Sequence, residues 1–179
     1  MPFAVRIQTS DRIPPSYQGE LATLDSYPKG MMSWTNIQQA KEIIPFGRFV
    51  QIDETATDAK NVQIWAGVKP LIGVAFCPLD FVTHETTLPG AAQYSIGDEV
   101  CITDSIDVWC QVKASVTALT RFTAVRVDIV DATYKGCVTD AVVAANAVVE
   151  VPGCLIDSPV IDLGSNVKIV RVMFRNRLV

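Results

Sequence analysis

From Phe49 onward the chain alternates between apolar and polar positions. Within Arg121–Asp131, Val125, Val127 and Ile129 fall on one face and Arg126 and Asp128 on the other. Within Val167–Val179, an inward row of Val170, Val172 and Phe174 lies opposite Arg171, Arg175 and Arg177. A period of two marks strands with one buried face. Shorter runs of the same kind predict strands over Phe49–Asp53, Val62–Val68, Gly73–Phe76, Val100–Thr103, Val108–Lys113, Gly136–Thr139, Val148–Val151 and Leu155–Ile156. Alanine favours helix over Ala141–Val149, but the β-branched valines and Asn146 predict a loop leading into a strand. Many short strands with few helices predict a mainly β fold: a compact β-sandwich or small β-barrel.

One hairpin can be registered from the sequence. A turn centred on Ser105-Ile106 sets Thr103 opposite Val108, Ile102 opposite Trp109, and Cys101 opposite Cys110. That register predicts a cross-strand pair of thiols, Cys101 and Cys110, close enough to be oxidised later.

The pattern is different before residue 49. Pro14-Pro15, Gly19, Pro28, Gly30, Pro45 and Gly47 interrupt every regular run. Phe3, Val5, Ile7, Ile13, Tyr17 and Leu21 nevertheless supply more apolar character than a disordered tail carries. The expectation is an extended N-terminal arm over residues 1–48 that orders against another surface, joined to a β core over 49–179. One short helix is predicted inside the arm. Thr35 would cap it, Gln38 would complete the capping box, and Ile37, Ala40 and Ile44 would share a face before Pro45 ends it.

Composition narrows the function classes. Fifteen basic and nineteen acidic residues give a net charge of -4, so no global positive field attracts nucleic acid or an anionic membrane. Charged residues are 19% of the chain, below the roughly 25% of ordinary soluble domains, which predicts exposed apolar surface seeking a partner. No uncharged apolar run reaches the ~18–20 residues of a membrane span, and the first twenty residues do not read as a signal peptide. Five cysteines (Cys77, Cys101, Cys110, Cys137, Cys154) include no Cys-x-x-Cys and accompany a single histidine, His84, so neither a metal site nor a cofactor is predicted. Catalysis by a histidine-assisted nucleophile would need His84, which lies in a polar stretch read as an exposed loop. The carboxylates Asp98, Glu99, Asp104, Asp107, Asp157 and Asp162 sit beside turn-forming residues and are read as turn chemistry. Lys168, Arg171, Arg175 and Arg177 form a C-terminal basic stripe. It is read either as a solvated strand face or as a contact with an acidic partner or neighbouring subunit.

The run Ile43-Ile44-Pro45-Phe46-Gly47-Arg48-Phe49-Val50 resembles a segment of the tailed-phage head decoration proteins, also called structural cement proteins. There an Ile-Pro-Phe-Gly stretch links an N-terminal arm to a β core. Gly19-Glu20-Leu21-Ala22, Gly73-Val74-Ala75-Phe76, Tyr94–Val100, Asp107–Val112 and Val151-Pro152-Gly153-Cys154-Leu155 resemble further segments in the family's order, from Gly19 to the end. The resemblance implies a non-enzymatic virion protein, made in the bacterial cytoplasm, that binds the capsid exterior and cements adjacent capsomers. Its implied partners are the major capsid protein and other copies of itself, a homotrimer or else a dimer, with no nucleic acid or membrane. Phe3, Val5, Ile7, Ile13, Tyr17 and Leu21, with Arg171, Arg175 and Arg177, are the expected interface residues. The alternatives are a tail, baseplate or head-fibre module and a carbohydrate-binding β domain.

Overall fold

The computed structural model describes residues 39–53, 61–67, 71–76, 93–104, 107–144 and 146–175. Among these there are twelve strands and no helix. In chain order they are β1 (Gln39–Ala40), β2 (Ile44–Pro45), β3 (Phe49–Ile52), β4 (Asn61–Ile64), β5 (Leu71–Ala75), β6 (Gln93–Tyr94), β7 (Ile102–Thr103), β8 (Val108–Val112), β9 (Ala124–Asp128), β10 (Val148–Ile156), β11 (Ile161–Gly164) and β12 (Val167–Phe174). The mainly β expectation holds.

Two curved layers share the work of burial. The first is a sheet in the order β1-β4-β3-β5-β7, with a two-stranded ribbon of β2 and β6 beside it. Its core holds Ala40, Ile44, Phe46, Val50, Val62, Ile64, Ile72, Ala75, Tyr94 and Ile102. Phe46 and Tyr94 meet edge-on with ring centroids 4.8 Å apart, and the Tyr94 hydroxyl donates to Phe76 O at 2.8 Å. In the second layer β12 pairs with β8 on one side and with β11 and β10 on the other, and β10 continues to β9. Val138 then closes a ring between β9 and β8. Its N–H donates to Gln111 O and its carbonyl accepts from Lys113 N, while on the other side Asp128 N–H donates to Cys137 O and Thr139 N–H to Arg126 O. The stretch expected as strand Gly136–Thr139 is therefore the narrow stave of a small barrel. Val108, Cys110, Val112, Val125, Val127, Val138, Val151, Cys154, Ile156, Val170 and Val172 are buried with it. Phe49, Trp65, Val74 and Phe76, from or beside the first sheet, belong to that same core and weld the layers together.

The short segment Pro45–Phe49 sits where the layers meet. Gly47 N–H donates to Ala75 O, Gly47 O accepts from Gln111 N, and Phe49 N–H donates to Gly136 O. Arg48 is 6% exposed and reaches across: its Nε donates to Gln111 Oε1 at 2.7 Å, Nη1 to Lys135 O at 2.7 Å and Nη2 to Thr133 O at 2.9 Å. Gly136 faces it at φ +77, where an added Cβ would lie 2.5 Å from Ile64 Cγ2; this close approach needs glycine.

Three expectations change. First, the helix predicted to end at Ile44 does not form over the residues described. Ala40 and Ile44 are both buried, as a shared face required, but Ala40 exchanges hydrogen bonds with Asp98 O and Gly97 N. A backbone paired across a sheet has no groups left for a helical ladder. The last ten residues assigned to the arm thus include core positions. Second, β7 and β8 do not form a hairpin. Thr103 pairs with Val74 and Ile102 with Ala75, whereas Cys110 pairs with Val170 and Trp109 with Arg171. The Cys101–Cys110 register is therefore absent, and Ser105-Ile106 lies outside the described residues. All five residues of β8 are buried, so both of its faces are covered, and its long-range pairing with β12 outweighs the local turn signal. Gly73, at φ +149, admits β7 where a Cβ would meet Thr103 O at 2.3 Å. Third, Val148–Val151 and Leu155–Ile156 are one strand, broken in register between Val151 and Leu155. Pro152 and Gly153 produce that bulge.

Candidate interaction surface

Alternation along β12 places Arg171 opposite Val170 and Val172, but that face is covered, not solvated. Arg171 is 4% exposed. Its Nη2 pairs with Asp157 Oδ2, its Nε stands 4.0 Å from Asp107 Oδ2, and its N–H donates to Ser158 Oγ at 2.9 Å. Asp157 N–H donates to Arg171 O at 2.8 Å, so the two residues hold each other by backbone and side chain. A charge in such a position is tolerated only when paired and hydrogen-bonded. Reading Asp157 as simple turn chemistry is therefore corrected: its carboxylate is a buried counter-ion to two arginines.

The second arginine is Arg121, whose Nη2 donates to Asp157 Oδ1 at 2.7 Å and whose guanidinium carbon lies 4.8 Å from the centre of the Phe122 ring. Phe122 is 57% exposed and adopts φ +61, a left-handed conformation that aromatic residues rarely take. Its N–H donates to Ile156 O at 2.7 Å, Ile156 N–H donates to Thr123 O at 2.9 Å, and the Thr123 hydroxyl donates to Thr120 O at 2.6 Å. These contacts lead from Arg171 in the wall of the barrel, through Asp157 and Arg121, to an aromatic ring presented at its end. Arg175 is exposed on the other side of β10, with its N–H donating to Gly153 O at 2.8 Å.

Other apolar side chains are exposed at separate places: Ile43 and Ile96 near the β2–β6 ribbon, Val130 after β9, and Val142 and Val143 before β10. The turn carrying Val130 is pinned by charge. Lys113 Nζ contacts Asp128 Oδ2 at 2.8 Å and Asp131 Oδ2 at 2.9 Å, and the same carboxylates accept backbone N–H groups from Val130, Asp131, Thr133 and Tyr134. The Lys113 contact and the turn N–H groups hold the Asp131 carboxyl down to about 2. Burial pushes Asp128 upward, but Lys113 and the N–H groups outweigh it and leave its pKa lowered. Hydrogen bonds to both carboxylates raise Lys113 in turn.

The remaining sequence candidates are dispersed. Phe3, Val5, Ile7, Ile13, Tyr17, Leu21, Arg177, His84 and Cys77 lie outside the described residues. Lys168 is spent on Ala114 O and Val116 O, at 2.6 and 2.8 Å. Asp98 and Asp162 do serve turns, through Ser95 N–H and Gly164 N–H. Asp104 is 7% exposed and its Oδ1 has no hydrogen-bond partner among the described residues. Cys110 and Cys154 belong to the barrel core and Cys137 is buried beside it; burial pushes Cys137 and Cys154 up to about 12 and Cys110 well above its ordinary value. Sequence reasoning missed Phe122 because nothing in a residue string reports a positive φ. It missed Arg48 although a signal existed: the one charged residue in the stretch Ile43–Val50, set among Ile44, Phe46, Phe49 and Val50, has to be satisfied if its neighbours are buried.

Comparison with known proteins fits an assembly surface. The family model described as "Structural cement protein (E217 gp24/Pam3 gp6)", a phage cement family, matches residues 7–175. The chain belongs to the phage structural cement protein family. Among solved structures, a chain from the capsid of Myoviridae Phage XM1 has the same fold, with a TM-score of 0.62, 17% identity and full coverage of both chains. The search of curated proteins returned no match. As a structural cement protein the chain is a non-enzymatic component of the virion capsid, and the alternatives of a tail, baseplate or head-fibre module and of a carbohydrate-binding domain fall away.

Proposed function

We propose that this cement protein binds the outer surface of the head, spans junctions between capsomers with its N-terminal arm, and does so as a homotrimer. The observation that carries the reading is the reach of the family match. It begins at residue 7, well before the first described strand at Gln39, so Ile7, Ile13, Tyr17 and Leu21 of the apolar N-terminal segment lie within the matched stretch. A head packed with DNA resists outward pressure, and its weak lines are the seams between capsomers. An arm carrying Phe3, Val5, Ile7, Ile13, Tyr17 and Leu21 covers much area per residue, and its ordering on docking is repaid by apolar burial. Three linked copies multiply the attachment by effective concentration. Arg175 remains available for this surface, while Arg171 serves the interior of its own subunit.

Deleting the residues before Gly19 tests the reading. The truncated chain is expected to keep its circular dichroism and thermal transition while its binding to expanded heads weakens by about tenfold or more. Unchanged head binding would refute the arm assignment. Light scattering on the purified chain decides between trimer, dimer and monomer.

A further inference from the structure

We propose that Phe122, flanked by Arg121 and Arg175, is the barrel's anchor on the capsid, entering an apolar pocket rimmed by carboxylates. The inference rests on the cement reading above and adds to it a second contact, separate from the arm, with a stated chemistry.

The five other exposed large apolar residues are aliphatic, and Ile96 lies in a turn with Asp98 and beside Glu99. Phe122 is the exposed aromatic among the described residues, and it is held out at a cost. A non-glycine residue at φ +61 gives up backbone energy relative to the ordinary right-handed or extended conformations. Packing does not recover this, since more than half of the ring is open to solvent. Its position is nevertheless closely determined: the backbone is bonded on both sides of the residue to Ile156, and one ring face is covered by a guanidinium that Asp157 and Arg171 hold in place. A rigid aromatic loses little entropy on docking, which is the character of an interface hot spot, and arginine is its usual companion there.

Charge decides the kind of partner. The register of β9, β10 and β12 sets Arg175 beside Gly153 on one side of β10 and Phe122 beside Ile156 on the other, three residues along and two strand spacings across, roughly 14 Å apart. Among the described residues the charge in contact with the ring, Arg121, and the exposed charge across β10, Arg175, are both cationic, and the carboxylate beneath, Asp157, is buried and already shared by two arginines. A neutral or basic pocket would leave Arg175 and the outer part of Arg121 unmatched; an acidic rim matches them.

The test uses the full-length chain and expanded heads of the cognate phage assembled without it. Phe122→Asn is informative because asparagine accepts the left-handed conformation, so its melting temperature is expected to equal or exceed that of the unaltered chain. Its affinity for heads is expected to fall about tenfold or more. Arg175→Glu and raised salt are each expected to weaken binding as well. A map of decorated heads gives a reading that needs no variant, with the ring expected in contact with capsid protein. Phe122→Asn binding like the unaltered chain, or a ring facing solvent or another copy of this chain, would overturn the anchor and leave the cement reading standing. Failure of the unaltered chain to bind heads would overturn both.

Discussion

At the scale of single residues, Arg48 has the clearest role. It is a buried cation whose three hydrogen bonds join the first sheet to the outer wall of the barrel and to the 133–135 turn. Arg48→Met keeps the volume and removes the donors, leaving Thr133 O, Lys135 O and Gln111 Oε1 unmatched; a loss of about 2–4 kcal/mol in urea unfolding is expected. Retention of full stability would mean that water replaces the guanidinium at no cost. The interior thiols offer a second prediction. Burial raises Cys110, Cys137 and Cys154, so almost no thiolate is present at pH 8. Brief treatment of the native protein with iodoacetamide should leave peptides containing these three unmodified by mass spectrometry, and guanidinium should make all three reactive. Native labelling at Cys110 would contradict a closed barrel.

At the scale of elements, the turn after β9 links stability to pH. Asp131 sits at about 2 and Asp128 is also lowered from 3.8, so between those values and the unfolded ones the native state holds fewer protons than the unfolded chain. Their contribution is complete above about pH 5 and is lost as pH falls toward 2. Lys113 is raised from 10.5, so its contribution is complete below that pH and fades as the pH rises past it. Urea midpoints should therefore form a plateau between these limits, and Lys113→Met should lower the plateau and flatten the acid limb. An unchanged acid limb in that variant would show that the ion pairs do not hold the turn. Elements also explain the legibility of the fold. β9 and β12 were readable because apolar and polar residue types alternate along them in sequence, even though Arg171 on the polar side of β12 is itself buried. The position of β8 was legible too, but its partner was not: Trp109 and Gln111 on its second face are buried like Cys110 on its first, and the strand it pairs with, β12, is distant in sequence.

At the scale of the whole molecule, two cores behave as one because Phe49, Trp65, Val74 and Phe76 join them. Small domains welded in this way unfold in a single step. Phe49→Ala, at a fully buried position, should cost about 3–5 kcal/mol while circular dichroism and fluorescence still report coincident transitions. Two separated transitions would show that the layers are independent domains. Cooperativity of this kind suits a capsid component, since a load applied at one point is shared by the whole fold.

The amino-acid order by itself determined the β class, most strand positions, the absence of catalytic and metal patterns, and the ordered motifs that resemble the cement family. Those properties follow from local periodicity and from residue types, which are present in a linear string. Tertiary structure alone decided that β8 pairs with β12 instead of β7, that Arg171 faces a buried Asp157, and that Phe122 is held outward. Each of these depends on contacts between residues distant in sequence. An arginine opposite two valines looks the same in a string whether its face meets water or a second layer, and only the packing of β12 against its neighbours distinguishes the two.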